Sequence, residues 1–259
     1  MTSDPGLIWR VIEDGAQSGA ENMARDHALA LCLGAEEAVL RLYAWRVPTV
    51  SFGRNEPSLG RYDRDDAATR GIDFVRRPTG GRAVLHAAEV TYSVVAPLRA
   101  LGGLRDAYLR INQALVAALA SLGVPASAAE DSAALPLDAG PCFQSPAGGE
   151  VVVQGAKLVG SAQARVEGAL LQHGAIIMDG DQSALDELRG DGVVPDAPAS
   201  VRTWAAEASF DQVSASVRRA FELAFGGGWN EAGYRSRELE EASRLRDEKY
   251  ALDSWTWRR

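Results

Sequence analysis

A thiol, an amine and an imidazole lie close together in the sequence, between residues 142 and 174. They belong to Cys142, Lys157 and His173. A cysteine becomes a nucleophile when a nearby cation stabilises its thiolate, and Lys157 is a candidate for that cation. A lone cysteine is about as often a small buried hydrophobic residue. The Pro-, Gly- and Ser-rich neighbours of Cys142 favour the nucleophile, but both interpretations stay open at this point.

Strands must position these groups, because the stretch has the side-chain pattern of a sheet. Residues 150–154 are apolar and β-branched, residues 158–166 alternate small or apolar with polar side chains, and residues 169–178 are apolar again. Two turns separate the three segments, at Gly155-Ala156 and at Glu167-Gly168. The pattern therefore predicts a three-stranded meander that carries the amine and the imidazole.

A second stretch with chemical potential is a glycine pair that follows a predicted strand at 72–77. The pair Gly80-Gly81 lets the backbone turn tightly and exposes N–H groups to an anion or to a carbonyl oxygen. Arg76, Arg77 and Arg82 add fixed positive charge beside it. A tight hairpin would explain the glycine pair equally well.

Together, the two stretches resemble the lipoate-protein ligase and octanoyltransferase superfamily. The resemblance rests on the segments GAKLVGSAQ (155–163), LQHG (171–174) and RRPTGGRAVLH (76–86). Within that superfamily, Cys142-Phe143, followed by Pro146 and Glu150, resembles the cysteine-dependent octanoyltransferases. The likeness covers nearly the whole chain.

The resemblance implies a fold and a reaction. The expected fold is α/β or α+β: one biotin/lipoate ligase-like catalytic domain over residues 1–259, with a mostly antiparallel mixed sheet flanked by helices. The expected reaction, part of lipoate biosynthesis, moves an octanoyl or lipoyl group from acyl carrier protein to a lysine of a lipoyl domain. That domain belongs to a 2-oxoacid dehydrogenase subunit or is the glycine cleavage H protein. By resemblance, Cys142 carries the acyl group as a thioester, and Lys157 polarises the acyl carbonyl or handles its proton.

The same resemblance implies a set of substrate-binding residues. They are Arg76, Arg77, Thr79, Gly80, Gly81, Arg82, His86, Gly160, Ser161, Ala162, His173 and Gly174. His86 and His173 are alternative bases to Lys157. No metal site is expected, and no cofactor either, since ATP and Mg²⁺ would be needed only by a ligase.

The expected protein partners tend to be acidic, so the chain should carry a local positive patch against its own net charge. The candidates for this patch are Arg76, Arg77, Arg82 and Arg165, with Arg258 and Arg259.

Two departures from the family pattern keep alternatives open. Arg82 stands where ATP-dependent ligases usually have a third glycine, and Ala87 stands where an Asp usually follows the histidine. The alternatives are an ATP-dependent lipoate ligase that forms lipoyl-AMP, an octanoyl amidotransferase between lipoyl domains, and a non-catalytic acyl-binding paralogue. Arg82 and Cys142 argue against the ligase, whereas Ala87 leaves room for reduced activity.

The composition is that of an ordinary globular protein, with 46% hydrophobic and 24% charged residues among 259. A net charge of −8 makes nucleic acid an unsuitable partner. The sequence has no apolar run that would span a bilayer and no recognisable signal peptide. Two cysteines far apart imply no disulfide framework, so a cytoplasmic location is expected.

Periodicity and capping patterns predict the remaining elements. The predicted strands are 7–13, 39–45 and 49–52. The predicted helices are one capped by Asn22 and ended by Gly34, then 62–70, 104–122, 181–189, one that starts at a Ser209/Gln212 capping box, and 236–249.

Overall fold

Two β-sheets organise the described residues of the computed structural model, which are 6–129, 149–190 and 198–259. The larger sheet has eight strands in the order β11-β1-β2-β6-β10-β9-β8-β7. The smaller sheet has three strands in the order β4-β3-β5. The strands are β1 (Ile8–Gln17), β2 (Glu37–Trp45), β3 (Thr49–Phe52), β4 (Asp73–Arg76), β5 (Val84–His86), β6 (Glu89–Pro97), β7 (Ser127–Ala128), β8 (Val151–Val153), β9 (Ala156–Val166), β10 (Ala169–Ile177) and β11 (Gly228–Glu231).

Most strand pairs of the larger sheet are antiparallel. The exceptions are the pairs that β1 makes with β2 and with β11, which are parallel. In the smaller sheet β3 pairs with β4 in parallel and with β5 antiparallel. The expected mostly antiparallel mixed sheet is confirmed.

Helices cover both faces of the larger sheet. They are α1 (Gly19–Leu31), α2 (Arg64–Thr69), α3 (Leu104–Ser121), α4 (Ser183–Arg189), α5 (Phe210–Phe225), α6 (Ser236–Leu245) and α7 (Asp253–Thr256). Helices α3 and α5 pack on one face through a large apolar core that includes Leu40, Val94 and Leu170. Helix α1 packs on the other face, against Val39, Val95 and Leu171. This alternation follows from the two-residue period of strands.

Helix α6 ends in an unusual turn that positions the residues after it. Residues Arg246–Tyr250 form a π-helical turn, in which the N–H of Ala251 donates to the carbonyl of Arg246 at 2.9 Å. The turn brings Tyr250 against α1, where it is buried. Short π segments inside helices are frequent at functional sites.

Helix starts were predicted correctly where the cap lies on the surface. The capping box of α5 is confirmed, since Ser209 and Gln212 each accept a hydrogen bond from the other's backbone N–H. The prediction of Asn22 as the cap of α1 is wrong, because Ser18 accepts from the N–H of Glu21 instead. Asn22 is fully buried inside the helix, and its Nδ2 donates to the carbonyl of Ala44 at 3.1 Å.

No helix within the described parts of the chain is both long enough and apolar enough to cross a membrane.

Candidate active site

A narrow cavity lies between the α1 face of the larger sheet and the smaller sheet. Its walls come from α1, from strands β2, β6, β9 and β10, and from the segment between β4 and β6. Apolar and small side chains such as Met23, Val84 and Ala175 form much of the lining. Because this lining is narrow and mostly apolar, the cavity suits a slender apolar group.

Most of the residues predicted to bind substrate meet at this cavity. Those that line it are Arg77, Gly81, His86, Gly160, Ser161, Ala162, His173 and Gly174. Arg76, Thr79, Gly80 and Arg82 lie behind the lining, in the segment that carries Gly81. The structure thus joins the two chemically suggestive stretches in one place, and their roles in binding stay predictions.

His173 is held between a carboxylate and a hydroxyl group. Its Nδ1 lies 2.9 Å from Oδ2 of Asp26, and its Nε2 lies 2.7 Å from Oγ1 of Thr79. Burial lowers the pKa of His173, although the contact with Asp26 acts in the opposite direction. His173 is therefore held largely as a neutral imidazole.

Asp26 is a shared acceptor on α1. It accepts hydrogen bonds from Arg41 at 2.7 Å, Tyr43 at 2.9 Å and Ser93 at 2.8 Å, in addition to the contact with His173. Burial alone would raise the pKa of Asp26, but the charge of Arg41 and the hydrogen bonds outweigh it and hold the pKa below its usual value. The carboxylate therefore stays ionised in a fully buried position.

His86 is held in a similar way on the opposite wall. Its Nδ1 lies 2.7 Å from Oε1 of Glu89, its Nε2 lies 2.6 Å from Oγ of Ser51, and its ring stacks on Trp45 with 4.0 Å between centroids. Both ring nitrogens are thus engaged, as they are in His173. Either histidine would have to exchange a hydrogen bond before it could act as the alternative base.

Arg76 and Arg77 are buried, and this corrects the expectation that they belong to an exposed positive patch. Nη1 of Arg76 donates to the carbonyls of Gly53 at 2.6 Å and Glu56 at 2.8 Å. Arg77 donates to the carbonyls of Ser51 and Gly80. These hydrogen bonds from the guanidinium groups to backbone carbonyls fix the shape of the loop that carries Gly81. Arg82 is buried as well, whereas Arg165, Arg258 and Arg259 are exposed.

Lys157 lies outside the set of described residues that line the cavity. Its side chain is buried, and its Nζ donates to Oε1 of Glu150 at 2.7 Å. Glu150 immediately precedes β8, and Lys157 is the second residue of β9, so the β8–β9 pairing brings the two together. The amine is therefore a fixed, paired ammonium rather than a mobile surface lysine.

Two glycines let backbones approach the cavity closely. A Cβ on Gly53 would lie 1.8 Å from the carbonyl oxygen of Gly81, and a Cβ on Gly174 would lie 2.5 Å from that of Gly160. Gly81 also has a φ of +89°, which favours glycine. These positions admit no side chain without displacement of the cavity wall.

A polar cluster behind Ser161 was not predicted. Oγ of Ser161 lies 2.7 Å from the hydroxyl of Tyr92, and Nε2 of Gln172 donates to that hydroxyl at 2.9 Å. Asn112, fully within α3, donates from Nδ2 to the carbonyl of Gly149 at 2.8 Å. The sequence signal that could have revealed this cluster is Asn112, a polar residue on the otherwise apolar stripe of the helix.

Asp26 and Glu89 were also not predicted to belong to the site, because their partners are distant in sequence or lie on other elements. Cys142 lies outside the described residues. Its flanks are described: the N–H of Gly149 donates to the carbonyl of Ala129 at 3.0 Å, and the N–H of Ala129 donates to that of Glu150 at 2.7 Å.

Comparison with known proteins identifies relatives of the whole chain. A family model described as the lipoyl protein ligase A/B catalytic domain matches residues 18–222. The octanoyltransferase LipM of Symbiobacterium thermophilum is 38% identical over 97% of this chain and 98% of its own length. The octanoyltransferase LipM of Kyrpidia tusciae is also 38% identical, over 97% of this chain and 99% of its own.

Solved structures share the fold at lower identity. A lipoate-protein ligase A bound with ATP superposes with a TM-score of 0.78 at 23% identity, over 97% of this chain and 98% of that protein. A bipartite lipoate protein ligase from Thermoplasma acidophilum gives a TM-score of 0.76 at 24% identity, over 97% and 96%. These likenesses support the fold.

Proposed function

Because the chain belongs to the lipoyl protein ligase A/B catalytic-domain family and is an acyltransferase, we propose that it transfers an octanoyl group in lipoate biosynthesis. The donor is octanoyl-acyl carrier protein, and the acceptor is a lysine of a lipoyl domain. The observation that carries the proposal is the 38% identity to octanoyltransferases over nearly the full length of both chains.

The cavity supports an acyl substrate. Its apolar lining offers a favourable environment for an alkyl chain, at about 0.8 kcal/mol for each buried CH₂ group. The polar side chains that reach it are held by partners of their own, such as Asp26 for His173. The wall can therefore remain rigid while the acyl chain enters.

Cys142 is the proposed nucleophile. It precedes Gly149 by seven residues, which span at most about 25 Å when extended. Gly149 is anchored by Asn112 and lies next to Glu150, the partner of Lys157. A segment of this length allows Cys142 to reach Lys157 and the cavity edge at Ser161.

The reaction divides into two acyl transfers. The Cys142 thiolate attacks the thioester carbonyl, the C–S bond to the carrier breaks, and the carrier thiol leaves with a proton. The amine of the target lysine then attacks the Cys142 thioester, the amide C–N bond forms, and the thiol of Cys142 is released. Lys157 would stabilise the oxyanion in both steps, because its ammonium is fixed by Glu150.

Intact-mass spectrometry after mixing with octanoyl-acyl carrier protein tests the proposal. We expect an octanoyl adduct that hydroxylamine removes, that Cys32→Ser retains and that Cys142→Ser lacks. Separate reactions with an octanoylated lipoyl domain, and with octanoate plus ATP, identify the donor. An adduct that persists in Cys142→Ser, or an acyl-adenylate formed from ATP, would contradict the proposed route.

A further inference from the structure

Two cations lie against the ring of Trp255, which is hydrogen-bonded to the start of the loop that carries Gly81. Nζ of Lys249 lies 4.1 Å from the centre of this ring, and the guanidinium carbon of Arg258 lies 3.9 Å from it. Nη2 of Arg258 also donates a hydrogen bond to the carbonyl of Arg54. Burial and the charge of Arg54 both lower the pKa of Lys249, so the Arg54 side chain lies nearby. Arg54, Lys249 and Arg258 are called the rim cluster from here on.

The rim cluster differs from the other charged groups nearby, which have partners. Among the described residues, none of its three members forms an ion pair with a carboxylate. The carboxylates closest in sequence pair elsewhere: Asp247 with Arg246, Glu248 with Arg244, and Asp253 with Arg64. A chain with a net charge of −8 thus leaves three cations facing one another at one place.

Hydrogen bonds connect the rim cluster to the cavity wall. The N–H of Arg54 donates to the carbonyl of Thr79 at 2.7 Å, and Thr79 bonds His173, which lines the cavity. Nε1 of Trp255 donates to the carbonyl of Arg76 at 2.9 Å, at the start of the loop that carries Gly81. The cluster is therefore fixed to the same loop that forms the wall.

We propose that Arg54, Lys249 and Arg258 form a phosphate-binding site at the rim of the acyl cavity. The site would take the phosphate of the acyl donor, so this inference rests on the proposed function. An acyl carrier protein presents its thioester on a phosphopantetheine arm, which contains one phosphodiester. That group would be held while the acyl chain occupies the cavity.

The chemistry of the rim cluster suits phosphate better than a broad protein surface. Two guanidinium groups and an ammonium offer several donors toward one small volume, an arrangement that matches the multiple oxygens of a phosphate. Two of its three members contact a single indole ring, which is too small an area to dock a protein face by itself.

Electrostatics agree with the geometry. Burial, with the charges of Arg54 and Arg258, lowers the pKa of Lys249 to about 8. Burial and the charge of Lys249 lower the pKa of the neighbouring His27 to about 4. Because a bound anion would relieve this repulsion, His27 can report on occupancy of the site.

Two donors that differ only in the phosphate test the proposal directly. Octanoyl-4′-phosphopantetheine and octanoyl-pantetheine are compared as acyl donors to Cys142, and the readout is the ratio of their kcat/KM values. We expect the wild type to prefer the phosphorylated donor by about tenfold. The double variant Lys249→Gln/Arg258→Gln should lower this preference to less than twofold.

The control removes two arginines from the opposite face of the larger sheet. Arg105→Gln/Arg219→Gln takes away the same charge, in exposed positions on α3 and α5, and should retain the preference. An equal ratio in the wild type, or an unchanged ratio in the rim variant, would overturn the proposal. Acylation by octanoyl-pantetheine alone would show that the thioester chemistry holds even if the phosphate site does not.

A second measurement does not depend on turnover. The pKa of His27 is followed by NMR in sulfate and in chloride at equal ionic strength, since sulfate stays charged near pH 4. We expect sulfate to raise this pKa in the wild type but not in the rim variant; no sulfate effect would count against the site. Competition by ATP but not by phosphopantetheine would reassign the phosphate to a nucleotide and overturn the donor assignment.

Discussion

Charged side chains in the wall of the cavity have partners, whereas the cations at its rim have no partner of opposite charge within the part of the chain that the structure describes. In the elements that form the wall, the Asp26 carboxylate has four donors around it, and the Lys157 ammonium, which does not line the cavity, has a carboxylate at 2.7 Å. At the rim, Lys249 and Arg258 share one aromatic ring and repel each other. A charge at the wall is matched by the fold, whereas a charge at the rim is left for something else to match.

This difference separates charges that stabilise the fold from charges that are available to bind a ligand. A buried charge without a partner is too costly to persist, so wall residues such as Asp26 must be satisfied before any substrate binds. Lys249 is only partly buried, so water can keep its ammonium charged without an ion partner. Removal of a charge should therefore weaken the fold at the wall and leave it nearly unchanged at the rim.

The largest effect on stability is expected at the centre of the wall. Asp26→Asn leaves the buried Arg41 with less compensation and should lower the free energy of unfolding by about 3–5 kcal/mol. Urea denaturation measures it. The exposed Asp247→Asn is the control and should leave stability nearly unchanged. Equal effects of the two substitutions would remove the distinction between wall and rim.

A variant without the buried ion pair of Lys157 and Glu150 tests whether a paired charge also serves catalysis. The double variant Lys157→Met/Glu150→Gln removes both charges at once, so neither remains buried alone. We expect it to fold and to lose about 10²–10³ in kcat/KM for acyl transfer, the loss typical of an oxyanion donor. Circular dichroism and initial rates check the two parts. A folded variant with normal rates would limit Lys157 to a structural role.

The close packing of the cavity wall at Gly174 predicts a smaller effect on stability. Gly174→Ala places a methyl group 2.5 Å from the carbonyl of Gly160 and 2.7 Å from the ring of Tyr92, so we expect a loss of about 1–3 kcal/mol in unfolding free energy. Thermal denaturation measures it. Gly168→Ala, at the turn of the same hairpin, meets open space and serves as the control. A neutral Gly174→Ala would show that the sheet yields at this point.

The smallest effect is expected at the rim. Lys249→Gln removes a cation–π contact but also relieves the repulsion that lowers the pKa of Lys249, so the unfolding free energy near pH 7 should not fall. A loss of 2 kcal/mol or more would make Lys249 a structural brace.

The difference in stability between the wild type and Lys249→Gln depends on pH, and the sign of this dependence follows from the pKa of Lys249. The pKa of Lys249 falls from 10.5 in the unfolded chain to about 8 in the folded one. Between these values the unfolded chain binds more protons. The charge of Lys249 is therefore unfavourable to folding below pH 8, and the penalty disappears as the pH rises to about 10.5. The wild type should gain stability relative to Lys249→Gln across this window, as urea denaturation at several pH values can check; a difference that stays constant would contradict the shift.

The sequence predicted the elements whose signals are local. The β9–β10 hairpin, strand β3 and the α5 capping box depend on alternation, on turn residues and on a serine three positions from a glutamine. Strand β11 was missed because its partner is β1, with Ile8 opposite Gly228. Its glycines indicated a helix end, and nothing nearby signals a parallel pairing over such a separation.

The site was predictable in its glycines and histidines but not in its supports. His86, Gly160 and His173 belong to recognisable segments, and all three line the cavity. Asp26 reaches His173 across 147 positions, and Arg76 and Arg77 became buried because backbone carbonyls surround them. A sequence shows a charge, but only the packed chain shows whether that charge points to solvent.

The π turn at Arg246–Tyr250, at the end of α6, has a hydrogen bond that spans one residue more than the bond of an α-helical turn. Deletion of a single residue there would restore ordinary helical phase and rotate everything that follows by about 100° around the axis. The indole platform and the end of the chain would then face another direction, although no side chain in the acyl tunnel had changed. The angular setting of this turn thus offers a way to move the proposed phosphate site without any change in the cavity lining.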